Sequence, residues 1–322
     1  MTIITRRSAL ASTLSVIAAP RVRAQGSWPD RPVRVVVPYS AGGIADVIAR
    51  ILQPRMADYL GQPVVIENRT GASGAIAAQV VAQAPADGYT MLFEGPTVAT
   101  LPEVRNDLPV DYATAFVPVV QVMSQPYILG IRPGFPAKDM AGFIAEAKRR
   151  PGEVTYGTPG VAHTAHFMAE LLQMRADIKL EHVPFRGGSD VARELAGERI
   201  DAGIISFSSF RPAVDRGARL IGSTVAQRQA ILPDIPTIAE TVPGYEMTAW
   251  TGFFAPARTP QSVLARFTGA AQSALANPDV QRQIEGTGSD VVQSDQSAFA
   301  ALIQRDREAA RRIVRATGMS MN

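Results

Sequence analysis

Twice in this chain, about 120 residues apart, a short apolar strand runs into a loop of small residues and then into a helix. The first passage is Val33 to Asp46, Val-Arg-Val-Val-Val-Pro-Tyr-Ser-Ala-Gly-Gly-Ile-Ala-Asp. The second is Val154 to Thr164, Val-Thr-Tyr-Gly-Thr-Pro-Gly-Val-Ala-His-Thr. A strand that feeds a helix and then another strand builds a parallel sheet with helices on its faces. At each junction the first amides of the helix lack partners within it, and the helix dipole favours negative charge there. Two such junctions facing one another form a grip for a small anion.

The alternation continues around both passages. Apolar runs predict strands over 33–37, 64–67 and 89–93, with helices over 46–60 and 75–84 between them. In the first helix Ile48, Ile51, Leu52, Met56, Tyr59 and Leu60 share a face, Gly61 is the stop, and Pro54 should kink it. The stretch 94–118 shows no strong period and reads as a loop. A second set follows, with strands over 127–131, 154–156, 180–183 and 202–205 and helices over 139–149, 163–173 and 189–196. The last third, about 260–318, is mainly helical and is expected to pack back on the first domain. The fold class expected is therefore α/β, with two domains, each a mostly parallel sheet flanked by helices. Crossings near 122–127 and 248–254 would form a two-stranded hinge, giving a first domain of 25–122 with 252–322 and a second of 123–251.

Residues 1–24 read as an export leader, with Arg6-Arg7 ahead of an uncharged run and Val22-Arg23-Ala24 at its end. The arginine pair resembles a twin-arginine signal, and the apolar run is too short to anchor the chain in a membrane. The leader carries four arginines and no acid, so its removal turns 32 basic against 29 acidic residues into 28 against 29. The mature chain has no basic excess for nucleic acid or membrane surfaces. A periplasmic location is expected.

Composition removes several chemistries. There is no cysteine for a disulfide, a thiolate metal site or a thiol nucleophile, and there are only three histidines. No Gly-x-Ser-x-Gly elbow or P-loop occurs, and Gly71-Ala72-Ser73-Gly74 lacks the third glycine of a dinucleotide cradle. His163, His166 and Glu170 are spaced to share a helix face, as metal ligands would, but read as a hydrogen-bonding group. Asp46 reads as a cap on its own helix, because an acid there would oppose a bound carboxylate. Ser206 and Ser208 stay open between the cleft and ordinary surface. No catalytic group, cofactor or metal is expected.

The run Trp28 to Asp46 resembles the opening of the Bug family, the solute-binding receptors of tripartite tricarboxylate transporters. Further stretches similar to that family, in collinear order across the mature chain, are Leu60 to Gly74, Pro85 to Leu92, Tyr156 to Gly160, Val183 to Gly188 and Leu232 to Glu240. The resemblance implies a type II periplasmic binding-protein fold, no cofactor, and small organic acids as ligands, their carboxylates held by loop amides. It implies a first cradle of Ser40, Ala41, Gly42 and Gly43, and a second of Thr158, Gly160 and Thr164. Asp190 becomes a selector on the second domain.

The chain departs from the family pattern at two places. Ala162-His163 stands where Gly-Ser is usual, and Glu94 where a small residue is commoner. Glu94 could accept a ligand amine or hydroxyl, and His163 could donate to a second carboxylate. Side chains expected to set specificity are Tyr39, Glu94, Thr97, His163, Phe185, Asp190 and Phe207. The resemblance implies a monomer delivering its ligand to membrane transporter subunits; a sensor kinase as partner, or an enzyme in the same cleft, are the alternatives.

Overall fold

The computed structural model describes residues 28–229 and 232–321; the leader read over 1–24 lies outside the described residues. The chain opens with β1 (Val33–Val37), α1 (Ile44–Leu60), β2 (Val64–Asn68), α2 (Ala75–Ala82), β3 (Thr90–Glu94), α3 (Thr97–Val104) and β4 (Phe116–Gln125). Next come β5 (Tyr127–Ile131), α4 (Met140–Arg149), β6 (Thr155–Thr158), α5 (Thr164–Ala176) and β7 (Glu181–Pro184). These lead into α6 (Gly188–Ala196), β8 (Ala202–Ser206), α7 (Arg211–Val214) and β9 (Arg219–Ser223). The chain returns through β10 (Ala249–Pro256), α8 (Gln261–Leu275), α9 (Pro278–Glu285), β11 (Asp290–Val291) and α10 (Gln296–Thr317).

These strands form two sheets, ordered β11-β4-β10-β3-β1-β2 and β7-β6-β8-β5-β9. Each contains the parallel core expected from strand-helix alternation, β3-β1-β2 in one and β7-β6-β8 in the other. Each also has an antiparallel flank, because the segments that carry the chain between lobes add strands running the other way. In β1 the pleat sends Val33, Val35 and Val37 against α1 and α8, and Val36 toward α2, α3 and α10. A strand buried on both faces reads as a continuous apolar run, which is why Val-Arg-Val-Val-Val was legible.

The two connecting strands lie side by side, with Ala249 opposite Gln125 and Thr251 opposite Met123. The boundaries expected at 122/123 and 251/252 fall inside this pair, since β4 runs on to Gln125 and β10 begins at Ala249. Beside it the lobes share a core. Ala162 and Phe167 from the start of α5 join Trp250, Phe254 and Phe299 in one buried cluster.

Two local expectations change. The stretch 94–118 holds α3, whose Val98, Leu101 and Val104 are buried in the cluster that α10 also joins. Its threonines and Pro102 mask a helical period, so tertiary packing and not propensity makes this helix. α1 runs from Ile44 to Leu60 as one helix with Pro54 inside it. Ile48, Leu52, Met56 and Leu60 are buried in the core shared with α8, on both sides of the proline.

Candidate functional site

The loop between β1 and α1 is a tight turn. Gly43 N-H donates to Ser40 O (3.1 Å), and Gly42 has φ 80° while Ala41 stays at negative φ. This is a type II turn with glycine at its third position, where positive φ is required. Gly42 N-H donates to Asp46 Oδ2 at 2.8 Å. Asp46, 2% exposed, also receives Arg50 (3.0 Å) and Asn68 Nδ2 (2.9 Å). Burial alone would raise its carboxyl, but Arg50, the Gly42 amide and Asn68 outweigh that and hold it below the usual carboxylate range. Asp46 thus shapes the loop, in keeping with the capping role read from sequence.

Of the four amides expected in the first cradle, those of Gly42 and Gly43 are therefore engaged inside the loop. The open donors are elsewhere. Ser40 and Ala41 are exposed, and among the described residues no hydrogen bond takes their amides. The first two amides of α1, those of Ile44 and Ala45, also have no hydrogen bond among the described residues, with Ile44 half-buried and Ala45 buried.

The second loop is held from behind. Thr158 is fully buried, its Oγ1 lying 2.7 Å from His182 Nε2 and 3.0 Å from Gly160 O. Gly160 N-H reaches Thr158 Oγ1 at 3.4 Å, and Ala162 N-H donates to His166 Nδ1 at 3.2 Å. Ala162 adopts φ 58°, a left-handed angle that favours the glycine usual here. Thr158 thus supports the loop from within, its hydroxyl engaged by Gly160 and His182. The donors left open are the amides of Val161 and Thr164 and the Thr164 hydroxyl.

His163 caps α5 with its ring, Nδ1 accepting the Ala165 amide at 3.2 Å. The tautomer assigned by this bond carries its proton on Nε2, the one donor the ring can offer a ligand. Burial, with His166 nearby, pushes its pKa down to about 4, so the ring is neutral at physiological pH. It stacks on Tyr127, centroids 5.8 Å apart. His166 turns away and stacks on His182 at 3.8 Å, so the three residues of the suspected metal face do not converge on one point.

Tyr39 joins the loop after β1 to the loop after β3. Its hydroxyl donates to Glu94 Oε1 at 2.6 Å and lies 3.3 Å from Thr97 Oγ1. Burial first, then the Glu94 charge, raises its pKa well above the ordinary tyrosine value, and Tyr127 in the other lobe adds to that effect. Tyr127 in turn stacks on His163 at the start of α5, so the second loop is bordered by that ring pair.

The remaining expected residues lie farther out. Phe185 donates its amide to Thr158 O (2.9 Å), and its ring presses on Gly157, 3.0 Å from where a Cβ would stand. Asp190 pairs with Arg193 at 2.5 Å within α6. There it stabilises the helix start, and nothing in its contacts ties it to the loops. Phe207 packs against Gly288 of the first lobe, and Ser206 Oγ lies 2.8 Å from Ser209 Oγ. A separate hollow of about 580 Å³ beside Gln53, Ala57 and Gly61 sits at the far, C-terminal end of α1, where Asp58 and outward carbonyls disfavour an anion.

Sequence reading missed Tyr127 and the turn before α2. Gly71, Ala72, Ser73 and Gly74 all have positive φ, and Glu94 Oε2 lies 2.9 Å from where a Gly74 Cβ would be. The paired glycines were the available signal for this turn. Nothing local marked Tyr127.

The comparisons place the chain in a family with this fold. The family model described as "Tripartite tricarboxylate transporter family receptor" matches residues 48–319. A UPF0065 protein from the tcbD-tcbE intergenic region of Pseudomonas sp. (strain P51) is 33% identical over 314 residues, covering 96% of this chain and 94% of that protein. R. palustris Rpa4515 with adipate superposes with a TM-score of 0.84 at 31% identity, covering 91% of this chain and 99% of that one. MatC of Rhodopseudomonas palustris with bound malate gives 0.80 at 29% identity, covering 89% and 99%. With two α/β lobes joined by paired strands and helix-start loops on both, this chain belongs to the tripartite tricarboxylate transporter receptor family, whose motifs its sequence carries.

Proposed function

We propose that this protein is a periplasmic receptor that closes its two lobes on a small organic acid, with dicarboxylates as the leading class, and presents it to a membrane transporter. The observation that carries the reading is a helix-start loop with open amides on each lobe, beside the cluster in which Ala162 and Phe167 of the second lobe pack with Phe254 and Phe299 of the first. Hydrogen bonds to a charged group contribute about 1.5–3 kcal/mol each, so four or five reach the roughly 8 kcal/mol of a micromolar complex. Malate and adipate, bound by two relatives, set the length of acid to try first.

Binding is favoured over catalysis by what the polar side chains already do. His182 is engaged by Thr158, His163 caps a helix, and the serines after β8 bond one another. The test is a thermal-shift screen of the mature protein against malate, adipate, other small acids, uncharged analogues and nucleotides. A ligand that binds only the folded form raises the melting temperature. Stabilisation by one or more dicarboxylates is expected, and stabilisation by an uncharged compound alone would contradict the reading.

A further inference from the structure

Glu94 is an anomaly in a site meant for anions. Its carboxyl is 2% exposed, and among the described residues no lysine, arginine or histidine pairs with it. Oε1 is satisfied twice, by the Tyr39 hydroxyl at 2.6 Å and the Gly95 amide at 2.9 Å. Oε2 has no hydrogen bond among the described residues, yet it is not sealed from solvent. It lies against Gly74, a glycine at φ 92° that puts no side chain in its way.

Three loops meet at this carboxyl: the one after β1 brings Tyr39 and the one after β3 the Gly95 amide, both to Oε1, with Thr97 behind the Tyr39 hydroxyl, while the left-handed turn sets Gly74 against Oε2. Strand β10 places Gly252 opposite Glu94. The titratable groups coupled to this cluster are Tyr39 and Tyr112, neither of which carries positive charge; beyond them lie Tyr127 and Arg105, and Arg105 is paired with Asp107. An ionised Glu94 would therefore face an arriving carboxylate with no cation to offset it. A protonated Glu94 would present a donor, with the proton on the free oxygen.

Resting on the receptor reading above, we propose that Glu94 acts as a neutral acid whose Oε2-H donates to a ligand carboxylate, so that capture of the organic acid takes up a proton. Burial raises this carboxyl to about 7, against the smaller opposing effects of Tyr39 and the Gly95 amide. A carboxylic acid kept neutral by an apolar site so that it can donate is established chemistry in other proteins. Glu94 thereby favours acids over amines, the reverse of the accepting role that its residue type suggested.

The experiment is calorimetric titration of the mature protein with the dicarboxylate that stabilises it most, in buffers of different ionisation heat. The expected result at about pH 8 is uptake approaching one proton per ligand, with Kd rising toward about tenfold per pH unit above pH 7. Glu94→Gln, which keeps a donor, should lose both the uptake and the pH dependence, and bind more tightly than the natural protein at about pH 8. Binding without proton uptake, or uptake that persists in Glu94→Gln, overturns this inference alone. So does a requirement for an amino group on the ligand with tightening as pH rises, which would assign an ionised Glu94 to an ammonium. Failure of every carboxylate to bind overturns the receptor reading and this inference with it. Infrared spectroscopy of the ligand-free protein gives a check without ligand: a protonated buried carboxyl that titrates near neutrality and is missing from Glu94→Gln is expected, and its absence contradicts the proposal.

Discussion

Glu94 shows how a residue's position can reverse the role suggested by its type. In sequence it is an acid after a strand, available to accept; in the fold it is a buried carboxyl with one oxygen satisfied and no counter-charge. Its pKa near 7, against an ordinary 4.5, means the native state holds more protons than the unfolded chain across that window. Its contribution to stability therefore falls as pH rises from about 4.5 to 7. Asp306, raised to about 6 by burial, has the same sign, while His163 and His182, lowered to about 4, lose stability as pH falls below 6.5. A difference measurement isolates Glu94. The melting temperature of Glu94→Gln relative to the natural protein should climb between pH 5 and pH 8 by the equivalent of up to about 3 kcal/mol. A constant offset across that range would contradict the burial argument. At this scale the sequence reading was sound for Asp46 and incomplete for the loops. The resemblance put Ser40, Ala41, Gly42 and Gly43 in one cradle without distinguishing them, whereas in the fold the Gly42 and Gly43 amides are engaged within the loop and those of Ser40 and Ala41 stay open.

Elements were legible where one period dominated. β1 is apolar throughout because both its faces are covered, and α5 and α6 begin within one residue of where the pattern put them. β10 was read as a crossing segment from the two-domain arrangement, which requires the chain to return near 248–254, and in the fold it is a strand of eight buried residues that include Gly252. That glycine has a steric reason. A Cβ there would stand 2.7 Å from Val120 O and closer still to the Phe299 ring, at a register shift between β10 and β4. Gly252→Ala should cost about 1–3 kcal/mol and lower the denaturation midpoint with little change in the slope of the transition. An unchanged midpoint would mean that β10 can move off β4 freely. The helix α3 was invisible for the opposite reason, since its period is weak and α10 supplies the packing that defines it.

The whole molecule joins its lobes by paired strands and a shared cluster, and carries one helix-start loop on each lobe. Phe167, fully buried from α5 into the cluster with Trp250 and Phe299, ties the second loop to the first lobe. Phe167→Ala should destabilise by about 3–5 kcal/mol, read by denaturant unfolding, and a loss under 1 kcal/mol would show that the lobes do not depend on this packing. Two lobes and a cleft could be inferred from the repeated strand-helix pattern, but which amides remain open could not, because that depends on contacts such as Gly42 with Asp46. The central claim is that backbone amides of these loops hold the acid, and Ala41→Pro tests it most directly. Ala41 occupies the second position of the type II turn, where proline is favoured, so the loop and the melting temperature should survive while one donor is deleted. Titration calorimetry of this variant with a dicarboxylate should show affinity reduced about tenfold or more, the loss of one charge-assisted hydrogen bond. Unchanged affinity in a fully folded Ala41→Pro protein would contradict the account and move the anion away from this loop.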